Sequence, residues 1–247
     1  MSSAPTGMPR VRRSRRAPAP GRPARPLALV AWSSGKDAAY ALQAVRRSGV
    51  VEVVGLLTTV TRAFGRVSTH GVRETLLAAQ ADSIGLPLQR VEIPYPCPNE
   101  TYEQAMAEAL AVAAARGVTQ VVFGDLFLTD IRAYREAQLE RVGFTGVFPL
   151  WGRDTTALAG EMVASGLEAT LACIDPLRLD RSFAGRLFDR ALLAALPADV
   201  DPCGENGEFH TFVSNSPLFS RPLHISRGAV VERDGFVFAD LLPQAIG

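Results

Sequence analysis

The residues best placed to do chemistry come early, at Trp32-Ser33-Ser34-Gly35-Lys36-Asp37-Ala38. They stand between an apolar run and a segment with helical spacing, so they form the entry to a helix. A helix N-terminus offers four backbone N–H groups without partners and a partial positive charge. Two hydroxyls and a glycine let phosphate oxygens approach that backbone, and Lys36 adds a compact full charge. Charge-assisted hydrogen bonds of this kind contribute about 1.5–3 kcal/mol each. Asp37 repels a phosphate unless it holds a metal ion or caps the helix. Ser33, Ser34, Gly35, Lys36 and Asp37 therefore read as an anion site. Neither the Walker spacing nor the dinucleotide fingerprint G-x-G-x-x-G is present. The plain alternative is a capped helix with no ligand. Against it stands a count: of 26 basic residues, Lys36 is the only lysine.

Three later segments are also dense in reactive groups. Phe123-Gly124-Asp125 is followed by Asp130, Arg132, Tyr134, Arg135 and Glu136. Arg132, Arg135 and Glu136 share one helix face, where two guanidinium forks can clamp a phosphate or a carboxylate. The alternative is a solvated face with an Arg132–Glu136 pair. Phe148-Pro149-Leu150-Trp151-Gly152-Arg153 comes next, with Trp151 and Arg153 as candidate pocket residues and Trp151 equally suited to a core. Cys203-Gly204-Glu205-Asn206-Gly207-Glu208-Phe209-His210-Thr211 closes the set. Two carboxylates, an amide and an imidazole there can bind Mg²⁺, position ammonia or act as a general base. Strand alternation from residue 208 puts Glu208 and His210 on one side. His70 opens a second helical segment and is a weaker site candidate.

The first of these segments resembles the S-G-G-x-D-S loop of PP-loop ATP pyrophosphatases, with Ala38 where that superfamily usually has a second serine. Taken with the three later segments, in order, the chain is similar to the diphthine–ammonia ligase family of PP-loop proteins, from residue 27 to residue 219. That resemblance implies an AMP-forming, ATP-dependent C–N ligase: a substrate carboxylate is adenylated, pyrophosphate leaves, and ammonia displaces AMP. It implies ATP and Mg²⁺ as cofactors. Lys36, Asp37, Glu205, Glu208 and His210 would do chemistry, with Asp37 on the metal. Ser33, Ser34, Gly35, Thr58, His70, Gly124 and Asp125 would hold nucleotide. Arg132, Arg135, Glu136, Trp151, Arg153 and Asn206 would face the substrate, a small molecule or a protein side chain. The family reaction amidates diphthine, a modified histidine of elongation factor 2 in archaea and eukaryotes. The arginine bias suggests a GC-rich genome; in a bacterium the acceptor would differ.

These groups need a scaffold. Apolar runs at 27–32, 50–58, 88–93 and 120–124 read as strands, and 37–48, 70–84 and 99–116 as helices, the last capped by Asn99. Their alternation implies parallel pairing in a doubly wound α/β sheet of Rossmann-like, adenine nucleotide alpha hydrolase-like type, which binds ligands at its carboxyl edge. Beyond a soft boundary at 127, a smaller α+β substrate domain follows. Its helices are expected at 128–142, 155–165 (capped by Asp154) and 183–196. Its strands are expected at 147–150 and 168–174, and a hairpin at 229–232 and 236–239 turns at Asp234-Gly235.

Composition supports this picture. Of 247 residues, 47% are hydrophobic and 21% charged, which excludes wholesale disorder. No run reaches the ~20 apolar residues of a membrane span. Three cysteines without a C-x-x-C pair speak against a disulfide framework and for a reducing cytoplasm. Seven arginines and six prolines crowd residues 1–26, which read as a disordered leader. Without them the body is acidic, so broad nucleic-acid affinity is not expected. The rival readings are a PP-loop tRNA-modifying enzyme and a non-catalytic adenine-nucleotide-binding regulatory module. A homodimer is compatible with the sequence.

Overall fold

The computed structural model describes residues 25–244. The leader lies almost wholly outside the described residues. The chain opens with β1 (Leu27–Ala31), α1 (Lys36–Ser48), β2 (Glu52–Thr61), β3 (Arg66–Val67), α2 (Glu74–Ile84) and β4 (Leu88–Ile93). It continues through α3 (Asn99–Ala114), β5 (Val118–Val122), α4 (Thr129–Arg141) and β6 (Thr145–Val147). β2, β1, β5 and β6 lie side by side in that order, all parallel, with β4 parallel on β2. The short β3 runs antiparallel to β2 where β2 outruns β1. Along β1 the side chains alternate: Ala28 and Val30 enter one core and Leu29 enters another on the opposite face. α1 and α2 cover the first face and α3 and α4 the second, the doubly wound arrangement expected from the alternation of elements.

A second, antiparallel sheet has the order β8-β7-β10-β9. It is made by β7 (Glu168–Ile174), β8 (Phe209–Asn215), β9 (Ile225–Arg233) and β10 (Phe236–Pro243), with α5 (Thr155–Ala164) and α6 (Arg190–Ala195) beside it. Asp154 caps α5 as expected, accepting from Ala157 N at 2.7 Å. The terminal hairpin turns where expected and pairs β10 with β7, so it is part of the sheet rather than an appendage. The larger core runs unbroken from α1 and α2 into this second sheet, through Trp32, Leu42, Phe209 and Phe212. Each of those side chains contributes about 1.5–3 kcal/mol by burial.

Several expectations are corrected. The first sheet does not stop near residue 127: α4 and β6 add a further parallel unit to it. α2 starts at Glu74, four residues after His70, because Gly71 holds a left-handed backbone with φ 67° and Arg73 is extended and bridges Arg66. Pro98, not Asn99, occupies the cap of α3, and the Asn99 amide donates instead to Glu103 at 2.6 Å. The strand expected at 147–150 lies earlier, at β6, and 148–151 is a turn. The helix expected over 183–196 shrinks to α6. Ahead of it Phe188 N donates to Ala169 O at 2.8 Å and Leu187 bridges Thr170, so sheet pairing overrides helical spacing there.

Candidate active site

Strand order reverses between β1 and β5, the switch point at which open α/β sheets bind ligands. The loop from β1 into α1 lies at that point. Gly35 is the N-cap of α1, and Ser33 Oγ accepts from its N–H at 3.4 Å. Ser34 has φ 70°, is fully buried, and its Oγ has no hydrogen-bond partner among the described residues. Its carbonyl accepts from Gln80 Nε2 (3.1 Å) and Val213 N (3.0 Å), which fixes the loop between α2 and β8. From the other side β5 delivers Phe123, Gly124 and Asp125. A Cβ on Gly124 would lie 2.7 Å from the backbone carbon of Asp37, so only glycine admits this approach. The 33–37 loop is thus packed between β8 and α2 on one side and Gly124 on the other.

Lys36 takes an unexpected direction. It is 1% exposed and turns away from the sheet edge between the rings of Phe188 and Phe209, at 5.4 and 5.2 Å. Its Nζ donates to both Asp37 oxygens, at 3.0 and 2.9 Å, and to the Cys203 carbonyl. Burial opposes its charge, but Asp37, Cys203 and Glu205 outweigh that and raise its pKa. Lys36 N donates to Thr211 Oγ1 at 3.0 Å, a second tie to β8.

The far wall comes from the 201–208 loop and β8, with the turn before α2 and α4 beside them. Glu205 Oε1 accepts from Leu126 N at 2.7 Å, and burial, reinforced by Asp37 and Asp125, pushes its carboxyl up to about 7. His70 and His210 meet at a tilt of 32° with centroids 4.5 Å apart. His70 Nδ1 lies 3.2 Å from the Thr211 carbonyl. Burial lowers both imidazoles, His210 to about 4. Arg135 Nε sits 2.7 Å from Asp125 Oδ2, an ion pair by distance but misaligned for a hydrogen bond. Burial raises the Asp125 carboxyl, opposed by Arg135. Together these groups enclose a cleft of about 690 Å³.

The family model described as the diphthamide synthase N-terminal domain matches residues 27–145, and the one described as its C-terminal domain matches residues 154–237. The chain belongs to the diphthamide synthase family. The second match reaches well past residue 219 and takes in most of the hairpin, which the sequence reading left outside the likeness. Proteins named diphthine–ammonia ligase are similar over part of the chain. The one from Schizosaccharomyces pombe is 32% identical over 113 residues, covering 44% of this chain and 19% of the relative. That from Danio rerio is 34% identical over 95 residues (36% and 37%), and that from Homo sapiens 28% over 118 (45% and 44%). The matched stretches thus span less than half the length of these relatives.

Within this diphthamide synthase-family chain, Ser33, Asp37, Thr58, His70, Gly124, Asp125, Arg135, Glu205 and His210 all line the cleft. Thr58 Oγ1 donates to Trp32 O at 2.7 Å, so its hydroxyl braces the loop. Others stand outside. Lys36 lies behind the wall. Glu208 is buried in the 201–208 loop, where its Oε1 accepts from Asp201 N and Asn206 Nδ2, both at 3.0 Å. Glu208 and Asn206 therefore shape the loop that presents Glu205. Arg132 is sandwiched between Phe148 and Trp151, 4.6 Å from each ring, and pairs with Glu136 at 2.8 Å. Arg153 pairs with Glu161. Neither pair lines the cleft. Sequence reasoning missed Tyr102 and Met106 of α3 and gave no role to Tyr134 of α4, all three of which line it. Their helical spacing was visible, but which face turns to the sheet edge was not.

Magnesium fits these residues. No group of three His, Cys, Asp or Glu side chains could hold a metal alone among the described residues. Mg²⁺ beside a nucleotide needs only one or two carboxylates with phosphate oxygens. Asp37 lines the cleft and keeps lone pairs beyond those that Lys36 engages.

Proposed function

We propose that this chain is an ATP-dependent ligase that joins a carboxylate to ammonia. The observation that supports it most is the joining of a phosphate-type cradle at the sheet's switch point to a wall bearing His70 from the turn before α2, Glu205 from the 201–208 loop and His210 from β8. The relatives' name pairs diphthine with ammonia, and we adopt diphthine or a similar carboxylate as the acceptor.

In this reading the α1 N-terminus and the Ser33 hydroxyl hold phosphate oxygens. Asp37 would hold Mg²⁺, which when bound would supply positive charge against the departing pyrophosphate. An acceptor carboxylate oxygen bonds to the α-phosphorus as the bond to the bridging oxygen breaks, and pyrophosphate leaves with that electron pair. The nitrogen of ammonia then bonds to the acyl carbon, the acyl C–O bond breaks, AMP leaves with its electrons, and the nitrogen loses a proton. Lys36 does not touch phosphate; it aligns Asp37 and the 201–208 loop. The free cysteines Cys97, Cys173 and Cys203 suit a reducing cytoplasm.

The test is incubation with ATP, Mg²⁺, ammonium chloride and a cell extract, with products read by mass spectrometry. AMP, pyrophosphate and a substrate one mass unit lighter, a hydroxyl replaced by an amide nitrogen, are expected. ATP bound and released intact would favour the regulatory module instead, the reading that Ala38 supports.

A further inference from the structure

We propose that His70 and His210 form an ammonium-binding subsite at the edge of the phosphate cradle. The inference rests on the amidation reading and gives the second substrate a place. The two rings come from different sheets' elements, His70 from the turn before α2 and His210 from β8, and meet at 4.5 Å, tilted by 32°, in the cleft wall. The Thr211 carbonyl can only accept, so the neutral His70 ring must carry its proton on Nδ1. Its Nε2 is then a bare lone pair. His210 makes no hydrogen bond to any described protein group, although both rings are held in place. A Cβ on Gly35 would lie 3.0 Å from His70 Cε1, so the ring lies directly against the loop that would hold phosphate.

His70 thus turns a donor-free acceptor, Nε2, toward its neighbour, and neutral His210 adds a second acceptor nitrogen, a pair that suits a small guest rich in donors. Ammonium has four N–H groups and no lone pair, and it is small. Lys36 opposes positive charge at both rings, so a cation there relies on the nearby carboxylates. Arg135 is engaged by Asp125 and Lys36 by Asp37, while Glu205 has only backbone N–H partners. Burial keeps both imidazoles in the neutral, accepting form at pH 7.5. To serve the amidation, the bound ammonium passes one proton to a neutral imidazole nitrogen, which frees the lone pair that bonds to the acyl carbon.

The chain has three histidines, and the third, His224, is exposed and serves as reference. The full chain, with ATP and Mg²⁺ present, is titrated with ammonium chloride at pH 7.5 and constant ionic strength. The histidine ring Cε1–H signals are followed by NMR. Signals of His70 and His210 should move saturably, with half-saturation in the millimolar range, while His224 stays still. Sodium chloride and tetramethylammonium chloride should leave all three in place. His210→Asn should raise the half-saturation point about tenfold, the loss of one charge-assisted hydrogen bond. Absent or non-saturable shifts, equal movement of all three rings, or an equal response to sodium would overturn the subsite. If His210→Asn does not fold, the wild-type titration decides alone. Saturable ammonium shifts without AMP formation would remove the amidation reading but leave the subsite standing.

Discussion

The ammonium of Lys36 is committed to Asp37 and to a carbonyl 167 residues away in the chain. Removing one partner of a buried ion pair leaves the other charge stranded. Lys36→Met should lower unfolding free energy by about 3–5 kcal/mol in a urea titration, and Lys36→Arg by less. Glu205 makes the second residue-scale prediction. Its carboxyl ionises near its ordinary 4.5 when unfolded but only at about 7 when folded. The folded state therefore loses stability as pH climbs from 4.5 through 7. Glu205→Gln should gain about 1–2 kcal/mol at pH 8, after discounting for partial exposure, and nothing at pH 4. Amide formation by the parent should rise through pH 7 if the carboxylate is needed. The 33–37 motif was legible in the sequence because strand, loop and helix are local. The direction of Lys36 was not, since Phe188, Cys203 and Phe209 set it from afar.

Among the elements, α2 matters for one side chain. Gln80 is fully buried and accepts from Trp32 Nε1 at 2.9 Å while donating to Ser34 O and Val213 O. It links the strand, the loop and the second sheet. Gln80→Leu keeps the volume but orphans an indole N–H, and should cost about 2–4 kcal/mol with weaker ATP binding by calorimetry. Nothing in the sequence marks Gln80, a polar residue on a helical stripe. The parallel strands, by contrast, were legible as short apolar runs between helices. Where reading failed, at 183–189, the backbone found partners in β7 that local spacing cannot reveal.

Across the whole molecule, one core serves both sheets, and Asp240 ties β10 to Arg66 and Arg73 at 3.0 and 2.9 Å. Two family domains would suggest two melting events. A shared core predicts one: a single calorimetric transition whose van't Hoff and calorimetric enthalpies agree. Two resolved transitions would show the sheets to be independent. The soft boundary drawn at 127 has the same root, because the regular alternation of strand and helix signals fades there while the sheet continues through β6.

The solitary lysine has a practical corollary. With its amine sealed inside, the folded protein offers acylating reagents and aldehyde fixatives no lysine to attack. An N-hydroxysuccinimide ester should label only an α-amine until urea opens the fold, and side-chain labelling at Lys36 then counts unfolded molecules directly.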